Sequence, residues 1–173
     1  MSTTKKNLAL IGMMGSGKST IGYRTAQELS LPFYDLDKEI EKKAHCTIAE
    51  IFQQEGETTF RELEYETLQE LLQQKLCVIA TGGGAFCEKR NRDLLKKSCI
   101  TFYLSASAET LFERTRQTTH RPLLQTENPL ATLKNLIKKR QADYEKADYS
   151  LNVENLTPTE IVQQLISLYR AAS

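Results

Sequence analysis

The sequence has few of the features that mark special classes of protein. Its 173 residues include no tryptophan, and only 8 glycines and 4 prolines, which excludes collagen-like and low-complexity chains. The longest run of low polarity, residues 8–15, falls far short of the roughly 18 residues that a membrane-spanning helix needs. The same run has no signal-peptide cleavage pattern. We therefore expect a soluble, cytoplasmic protein without a membrane partner.

An excess of charge of either sign is also missing. The 23 Lys and Arg residues are balanced by 22 Asp and Glu residues, and the net charge is +1. Such a chain has no overall field to attract nucleic acid. The charged runs at residues 88–92 and 138–139 contain no aromatic residue for base stacking, so we interpret them as solvated helix faces and predict no nucleic-acid partner. Any anionic ligand must be bound by a local cluster.

The four cysteines do not form a recognisable metal or redox pattern. Cys46, Cys77, Cys87 and Cys99 show no C-x-x-C spacing. On a helix, the side chain of His45 would point about 100° away from that of its neighbour Cys46, which disfavours joint metal ligation. We therefore predict four reduced thiols.

The length of the chain predicts one domain, residues 1–173, and the pattern of apolar residues predicts its fold class. Short apolar runs typical of buried strands alternate with longer segments of helical period. The strand candidates are residues 8–11, 32–34, 78–80, 100–104 and 150–153. Asn128-Pro129 and Thr157-Pro158 each place a capping residue before a proline at the first helical position. This alternation predicts an α/β fold, with a parallel sheet covered by helices on both faces and ligands beyond the carboxyl ends of its strands.

The strongest single motif follows the first predicted strand. The G-x-x-x-x-G-K-S phosphate-binding pattern is matched by Gly12-Met13-Met14-Gly15-Ser16-Gly17-Lys18-Ser19, and a helical segment comes next. The glycines allow the loop to curl, so that its backbone N–H groups point at a polyphosphate. Lys18 then reaches the β- and γ-phosphates, and the Ser19 hydroxyl can bind Mg²⁺. A plain strand-to-helix turn would explain the glycines but not the Lys-Ser pair.

A phosphate loop indicates a nucleotide but not a reaction. ATPase motors and GTPases usually carry an acidic residue at the end of a second apolar strand, whereas the strand at residues 78–80 ends in Thr81-Gly82-Gly83-Gly84. Consecutive glycines allow a small ligand to lie against bare backbone, although a flexible turn is the alternative. Asp35 and Asp37 follow the second predicted strand. They can serve a metal and a substrate hydroxyl, or they can be a helix cap and a surface charge.

Two arginines lie in apolar surroundings along the chain. Arg140 interrupts the apolar stripe of a predicted helix, and Arg61 follows Phe60 with Glu64 three residues on to hold its guanidinium. An inward-facing arginine is costly without an anion, and a carboxylate fits its two-pronged fork. An ion pair within the fold is the alternative for each.

Together these motifs resemble the shikimate kinase family, in order and at the family spacings from about residue 7 to about residue 170. The matching blocks are residues 12–22, Phe33-Tyr34-Asp35-Leu36-Asp37, Ile51-Phe52 with Gly56-Glu57 and Phe60-Arg61, residues 81–84, Arg121-Pro122-Leu123-Leu124, and Arg140 with Tyr144. The resemblance implies a three-layer α/β/α P-loop kinase with a five-stranded parallel sheet and a mobile lid at about residues 114–124. It also implies transfer of the γ-phosphate of MgATP to the 3-hydroxyl of shikimate, a step of chorismate and aromatic amino-acid biosynthesis.

The resemblance also implies roles for individual residues. The ATP-binding positions are Gly15, Ser16, Gly17, Lys18, Ser19, Thr20, Arg114, Arg121 and Asn155, and the metal positions are Ser19 and Asp35. The substrate-binding positions are Asp37, Arg61, Gly83, Gly84 and Arg140, with Lys18, Asp37 and Arg121 as catalytic residues. In this assignment Asp37 orients the attacking hydroxyl or accepts its proton, and Arg121 closes on the phosphates from the lid. The expected ligands are Mg²⁺, ATP and shikimate, and we expect a monomer.

One departure and two alternatives bear on this assignment. The family often carries a basic residue in the loop before the last helix, but residues 152–158 contain none, so we expect Arg114 and backbone groups to hold the adenine. A gluconate-type or other small-metabolite kinase would share the phosphate loop without an obvious need for two carboxylate-binding arginines. A non-catalytic nucleotide-sensing module could dispense with Asp37 and Arg121.

Overall fold

The computed structural model describes residues 6–116 and 125–173. The strands are β1 (Asn7–Ile11), β2 (Phe33–Asp35), β3 (Val78–Ala80), β4 (Cys99–Ser105) and β5 (Tyr149–Asn152). The α-helices in these ranges are α1 (Lys18–Leu29), α2 (Leu36–Ala44), α3 (Ile48–Leu72), α4 (Lys89–Ser98), α5 (Ala108–Thr115), α6 (Pro129–Tyr144) and α7 (Pro158–Ala172), and a 3₁₀ helix spans Ala85–Cys87. Each predicted strand is present within one residue of its expected bounds.

The five strands form one sheet, in which every pairing is parallel and the order is β2-β3-β1-β4-β5. Leu8 on the central strand β1 is in register with Val78 on β3 and with Ile100 on β4. All residues of β1 and β3 are buried. Apart from Asn7, whose amide is hydrogen-bonded, both strands are continuously apolar, as a strand covered on both faces requires.

Two hydrophobic clusters lie on opposite faces of the sheet. Ala9 and Ile11 belong to the cluster that includes side chains of α2, α3, α4 and α6, whereas Leu8 and Leu10 pack with side chains of α1 and α7. Successive residues of a strand point to opposite faces, so the alternation along β1 supplies both clusters. The predicted three-layer α/β/α architecture is confirmed.

Helix ends follow their sequence signals. At the start of α7, Thr157 Oγ1 accepts a hydrogen bond from the Glu160 N–H at 3.2 Å, and Glu160 Oε2 accepts one from the Thr157 N–H at 2.7 Å. The Asn128 side chain caps α6. Helix α3 is kinked at Gly56, whose φ of 84° and ψ of 172° lie outside the helical region. Glycine adopts a positive φ without steric cost, so it permits this break in the helix.

The parallel topology brings several of the predicted motifs to one edge of the sheet. The phosphate loop follows β1, Asp35 ends β2 and leads into α2, and the glycine run follows β3. The turn that follows β5 lies at the same edge. Within the described ranges no helix is long and apolar enough to cross a membrane, and all four cysteines are free thiols, as predicted.

Candidate active site

The phosphate loop between β1 and α1 has the backbone geometry that its glycines allow. Gly15 and Gly17 have φ values of 80° and 94°, a region that residues with side chains rarely adopt. At Gly12, a β-carbon would lie 2.7 Å from the carbonyl oxygen of Leu104. The loop leads directly into the N-terminus of α1, where unpaired backbone N–H groups favour an anion.

Lys18 is the first residue of α1, and its side chain folds back across the loop. Its ammonium donates to the carbonyl oxygens of Gly12 at 2.5 Å and Met13 at 2.9 Å. The positive charge therefore lies over the curl of the loop.

Ser19 and Asp35, the two predicted metal positions, are in direct contact. Ser19 Oγ donates to Asp35 Oδ2 at 2.6 Å, and Asp35 Oδ1 accepts from the backbone N–H of Lys38 at 3.3 Å. Asp35 is thus also the N-cap of α2, as its alternative interpretation held. A hydroxyl and a carboxylate are hard oxygen ligands of the kind that Mg²⁺ prefers, so this pair fits that metal.

Asp37 lies in the first turn of α2 beside the same edge of the sheet. Burial raises the pKa of its carboxyl above the ordinary value of 3.8, and the negative charge of Asp35 raises it further. Lys18 and Arg61 act in the opposite direction. A carboxylate with a raised pKa is a better proton acceptor than an exposed one.

The three glycines after β3 form a strip of bare backbone, and each gives room to a different polar side chain. The pairs, with the distance from the missing β-carbon to the nearest side-chain atom, are Gly82 with Asp37 Oδ1 (2.7 Å), Gly83 with Arg140 Nη1 (3.0 Å) and Gly84 with Arg61 Nη2 (2.6 Å). None of the three has a positive φ, so close approach and not turn conformation explains the glycines. We call residues 82–84 the glycine strip.

Arg61 is anchored by a buried acid. Its Nη1 donates at 2.8 Å to Oε1 of Glu64, whose side chain is only 1% exposed. The same oxygen accepts from Asn91 Nδ2 at 2.9 Å. Burial raises the pKa of Glu64, and the charge of Arg61 opposes that shift. The predicted Arg61–Glu64 pair is confirmed, and Nη2 of the same guanidinium faces the glycine strip.

Arg140 is placed differently. Its Nη1 lies 3.7 Å from Met13 Sδ, a weak acceptor in the phosphate loop. Within residues 6–116 and 125–173 no carboxylate forms an ion pair with it. The guanidinium therefore lies between the glycine strip and the phosphate loop with donors available for an anion.

The predicted adenine side is less closely assembled. Arg114 is exposed in the last turn of α5, which packs on the phosphate loop, since a β-carbon at Gly15 would lie 2.6 Å from Thr115 Cγ2. Asn155 is exposed in the turn after β5. Among the residues that the structure describes, no hydrogen bond joins it to Arg114. Glu154 accepts hydrogen bonds from Ser107 and Thr110, which lower its pKa. Arg121 and residues 117–124 of the predicted lid lie outside the described residues.

Four residues that the sequence reasoning did not place in the site lie beside it. For two of them the sequence carries a feature that could have predicted this position: Gly82 belongs to the glycine run, and Tyr144 follows Arg140 by one helical turn. For Met13 the only such feature is its place in the phosphate loop. Asn91 is 1% exposed, which corrects the interpretation of residues 88–92 as a wholly solvated face.

Comparisons with known proteins indicate one family. A model of the shikimate kinase family matches residues 14–170. The shikimate kinase of Thermodesulfovibrio yellowstonii is 45% identical over 168 residues, which cover 97% of both chains. Shikimate kinase from Acinetobacter baumannii in complex with shikimate has a TM-score of 0.92 at 40% identity, over 97% of this chain and 94% of that one.

A gluconokinase from Sinorhizobium meliloti shares the fold, with a TM-score of 0.66 at 17% identity over 96% of this chain and 93% of that one. At this identity the likeness concerns the fold alone. The matches to shikimate kinases cover nearly the whole chain at more than twice that identity. The chain therefore belongs to the shikimate kinase family.

Proposed function

We propose that this chain transfers the γ-phosphate of MgATP to the 3-hydroxyl of shikimate, giving shikimate 3-phosphate and ADP. Family membership gives the kinase activity, and the residue roles are our assignment. One observation carries that assignment: a carboxylate and two guanidinium groups border three consecutive glycines beside a phosphate loop.

The groups around the glycine strip match the chemistry of a small cyclic hydroxy acid. The guanidinium groups of Arg61 and Arg140 bind the substrate carboxylate, because their paired N–H donors fit its two oxygens. Asp37 accepts hydrogen bonds from ring hydroxyls at the other end of the strip. The backbone N–H groups of Gly83 and Gly84 contact the ring between these ends, where no side chain stands in the way.

The phosphate loop provides the nucleotide side of the reaction. Residues 15–20 surround the phosphates, and Lys18 exchanges its two carbonyl acceptors for β- and γ-phosphate oxygens. Ser19 and Asp35 hold Mg²⁺, which when bound neutralises the negative charge of the phosphates. Arg114 and Asn155 contact the adenine end, and Arg121 approaches the phosphates from the lid.

The transfer itself requires little covalent chemistry from the protein. The substrate O–H bond breaks as its oxygen bonds to the γ-phosphorus, and the bond to ADP breaks. Asp37 orients this hydroxyl and takes its proton, since burial keeps its carboxylate basic. Positioning and charge neutralisation supply most of the rate in such reactions. All these groups come from one chain, so we also propose an active monomer.

A coupled ADP-release assay over shikimate, quinate and gluconate tests the proposal. We expect shikimate to have the highest kcat/KM, with gluconate at least about 100-fold lower, because the flexible gluconate chain loses more conformational entropy than a ring when its carboxylate and a hydroxyl are placed at the two ends of the strip. The same preparation of Lys18→Ala controls for contaminating kinases. NMR of the product identifies the phosphorylated oxygen, and a preference for gluconate would overturn the proposal.

A further inference from the structure

Tyr144 ends α6 one turn after Arg140, and its side chain is completely buried. Its hydroxyl donates a hydrogen bond to the carbonyl oxygen of Gly83, the middle residue of the glycine strip. The hydroxyl oxygen of Tyr144 also lies 3.4 Å from Met13 Sδ in the phosphate loop. A buried phenol thus connects α6, the strip and the loop.

The hydroxyl has only one proton to give. Gly83 is by far the better acceptor, so the contact with the Met13 sulfur is packing rather than a second donation. Burial raises the pKa of Tyr144, which keeps the phenol protonated and able to donate at neutral pH. The hydrogen bond is therefore present around neutral pH.

This hydrogen bond has a consequence for the next residue. The Gly83 carbonyl and the Gly84 N–H belong to one planar trans peptide and point in opposite directions. A carbonyl held toward α6 therefore turns the Gly84 N–H away from α6. Turn hydrogen bonds from the Ala85 N–H to Gly82 O and from the Cys87 N–H to Gly84 O hold the carbonyls on either side. The Tyr144 hydroxyl holds the Gly83 carbonyl between them, in a glycine backbone that has wide conformational freedom.

The position of Arg140 depends on the same residue. Tyr144 and Arg140 are neighbours on one face of α6, and both contact Met13 Sδ. The hydrogen bond of Tyr144 to the glycine strip thus fixes the distance between the Arg140 guanidinium and Gly83. A second connection holds α6 independently, because Arg92 Nη1 donates to Phe86 O at 2.9 Å and to Asp143 Oδ1 at 3.1 Å.

We propose that Tyr144 is a positioning residue, whose hydroxyl sets the orientation of the Gly83–Gly84 peptide and the distance of Arg140 from it. The inference rests on the proposed function, because that function makes both groups substrate contacts. Tyr144 itself does not touch the substrate.

Tyr144→Phe removes the hydroxyl and keeps the ring, and Tyr103→Phe is the matched control. Tyr103 is buried against Tyr144 with ring centroids 5.0 Å apart, and its hydroxyl has no hydrogen-bond partner within the described ranges. For Tyr144→Phe we expect the Kd of shikimate to rise about 3- to 10-fold, the change expected for one lost neutral hydrogen bond, and the Kd of ADP to stay the same. Tyr103→Phe should change neither constant.

Amide spectra of ¹⁵N-labelled protein give a direct readout. In the wild type, shikimate should shift the Gly84 amide resonance, and in Tyr144→Phe this shift should shrink while that of the phosphate loop on ADP binding persists. Equal loss of shikimate and ADP binding, no loss of either, or unfolding of the variant would each overturn the inference. If the wild type phosphorylates shikimate and Tyr144→Phe behaves like Tyr103→Phe, only this inference fails. If the wild type does not phosphorylate shikimate, the proposed function itself fails.

Discussion

The two sides of the site are built in different ways. The phosphate loop is one continuous stretch, residues 12–19, whose shape follows from its own glycines and the start of α1. The substrate side is assembled from four separate segments, which supply Asp37, Arg61, the glycine strip and Arg140. A continuous loop carries its geometry in its local sequence. An assembled surface depends on contacts between elements, so substitutions there change stability and binding together.

The largest effect is expected on the continuous side. Lys18→Ala should lower kcat at least about 1000-fold, since it removes a cation that neutralises the transferring phosphate. Its ammonium donates to two carbonyls of the loop and lies outside both hydrophobic clusters, so the melting temperature should change little. The coupled assay and thermal unfolding measure both quantities. A variant that keeps more than about a tenth of wild-type kcat would contradict the role of the lysine.

On the assembled side, Asp37→Asn should lower kcat about 100- to 10,000-fold, because an amide cannot accept the hydroxyl proton. In the wild type, kcat should fall as the pH drops through the raised pKa of Asp37. The Asn variant should lack this acid limb. A pH profile of kcat for both proteins tests the prediction, and an unchanged limb in the variant would assign it to another group.

The same substitution should make the free protein more stable. The pKa of Asp37 in the folded state lies above its ordinary value of 3.8, so the unfolded chain loses this proton first as the pH rises. Stability then decreases as the pH rises from about 3.8 through the folded pKa, and the cost is complete above it. Denaturant unfolding at neutral pH should therefore give Asp37→Asn a higher free energy of unfolding. Equal stability at neutral and acid pH in both proteins would contradict this.

Substitutions of Arg61 and Arg140 should weaken shikimate binding alike but should differ in their effect on the stability of the fold. Arg61→Ala or Arg140→Ala should each weaken shikimate binding about 10- to 150-fold and leave ATP binding nearly unchanged. Arg61→Ala should also lower the melting temperature, because it removes the ion-pair partner of the buried Glu64, whereas Arg140→Ala should do so much less. Lysine should restore little binding at either position, since an ammonium lacks the two-pronged fork.

Shikimate methyl ester provides the control for these variants. It should bind poorly to the wild type and lose much less affinity than the acid when either arginine becomes alanine. Calorimetric Kd values for acid and ester with each protein complete the cycle. Equal losses for both ligands would make the arginines structural residues.

The smallest effect is expected at the adenine end. Residues 152–158 contain no basic residue, and Asn155 is exposed, so we expect the kcat/KM values for ATP and GTP to differ less than about 100-fold, the contribution of one or two hydrogen bonds. Competition assays with both nucleotides measure the ratio. A kcat/KM ratio of several orders of magnitude between ATP and GTP would show that residues outside this loop recognise the base.

This contrast also explains how far sequence reasoning reached. Features that depend on residues close in sequence could be predicted. They are the strands, the caps of α6 and α7, the phosphate loop and the Arg61–Glu64 pair. The contacts of Asn91 with Glu64 and of Tyr144 with Gly83 could not, because they depend on how separate elements dock. The roles assigned to individual site residues stay predictions that the experiments above address.

The glycine strip has a consequence for resistance to inhibitors. An inhibitor that takes its hydrogen bonds from the backbone of residues 82–84 contacts atoms that every substitution except proline leaves in place. Even alanine would bring a β-carbon within 2.7 Å of Asp37, 3.0 Å of Arg140 or 2.6 Å of Arg61, and would disturb the residues that we assign to the natural substrate. Substitutions at this strip that weaken inhibitor binding should therefore also lower the kinase activity.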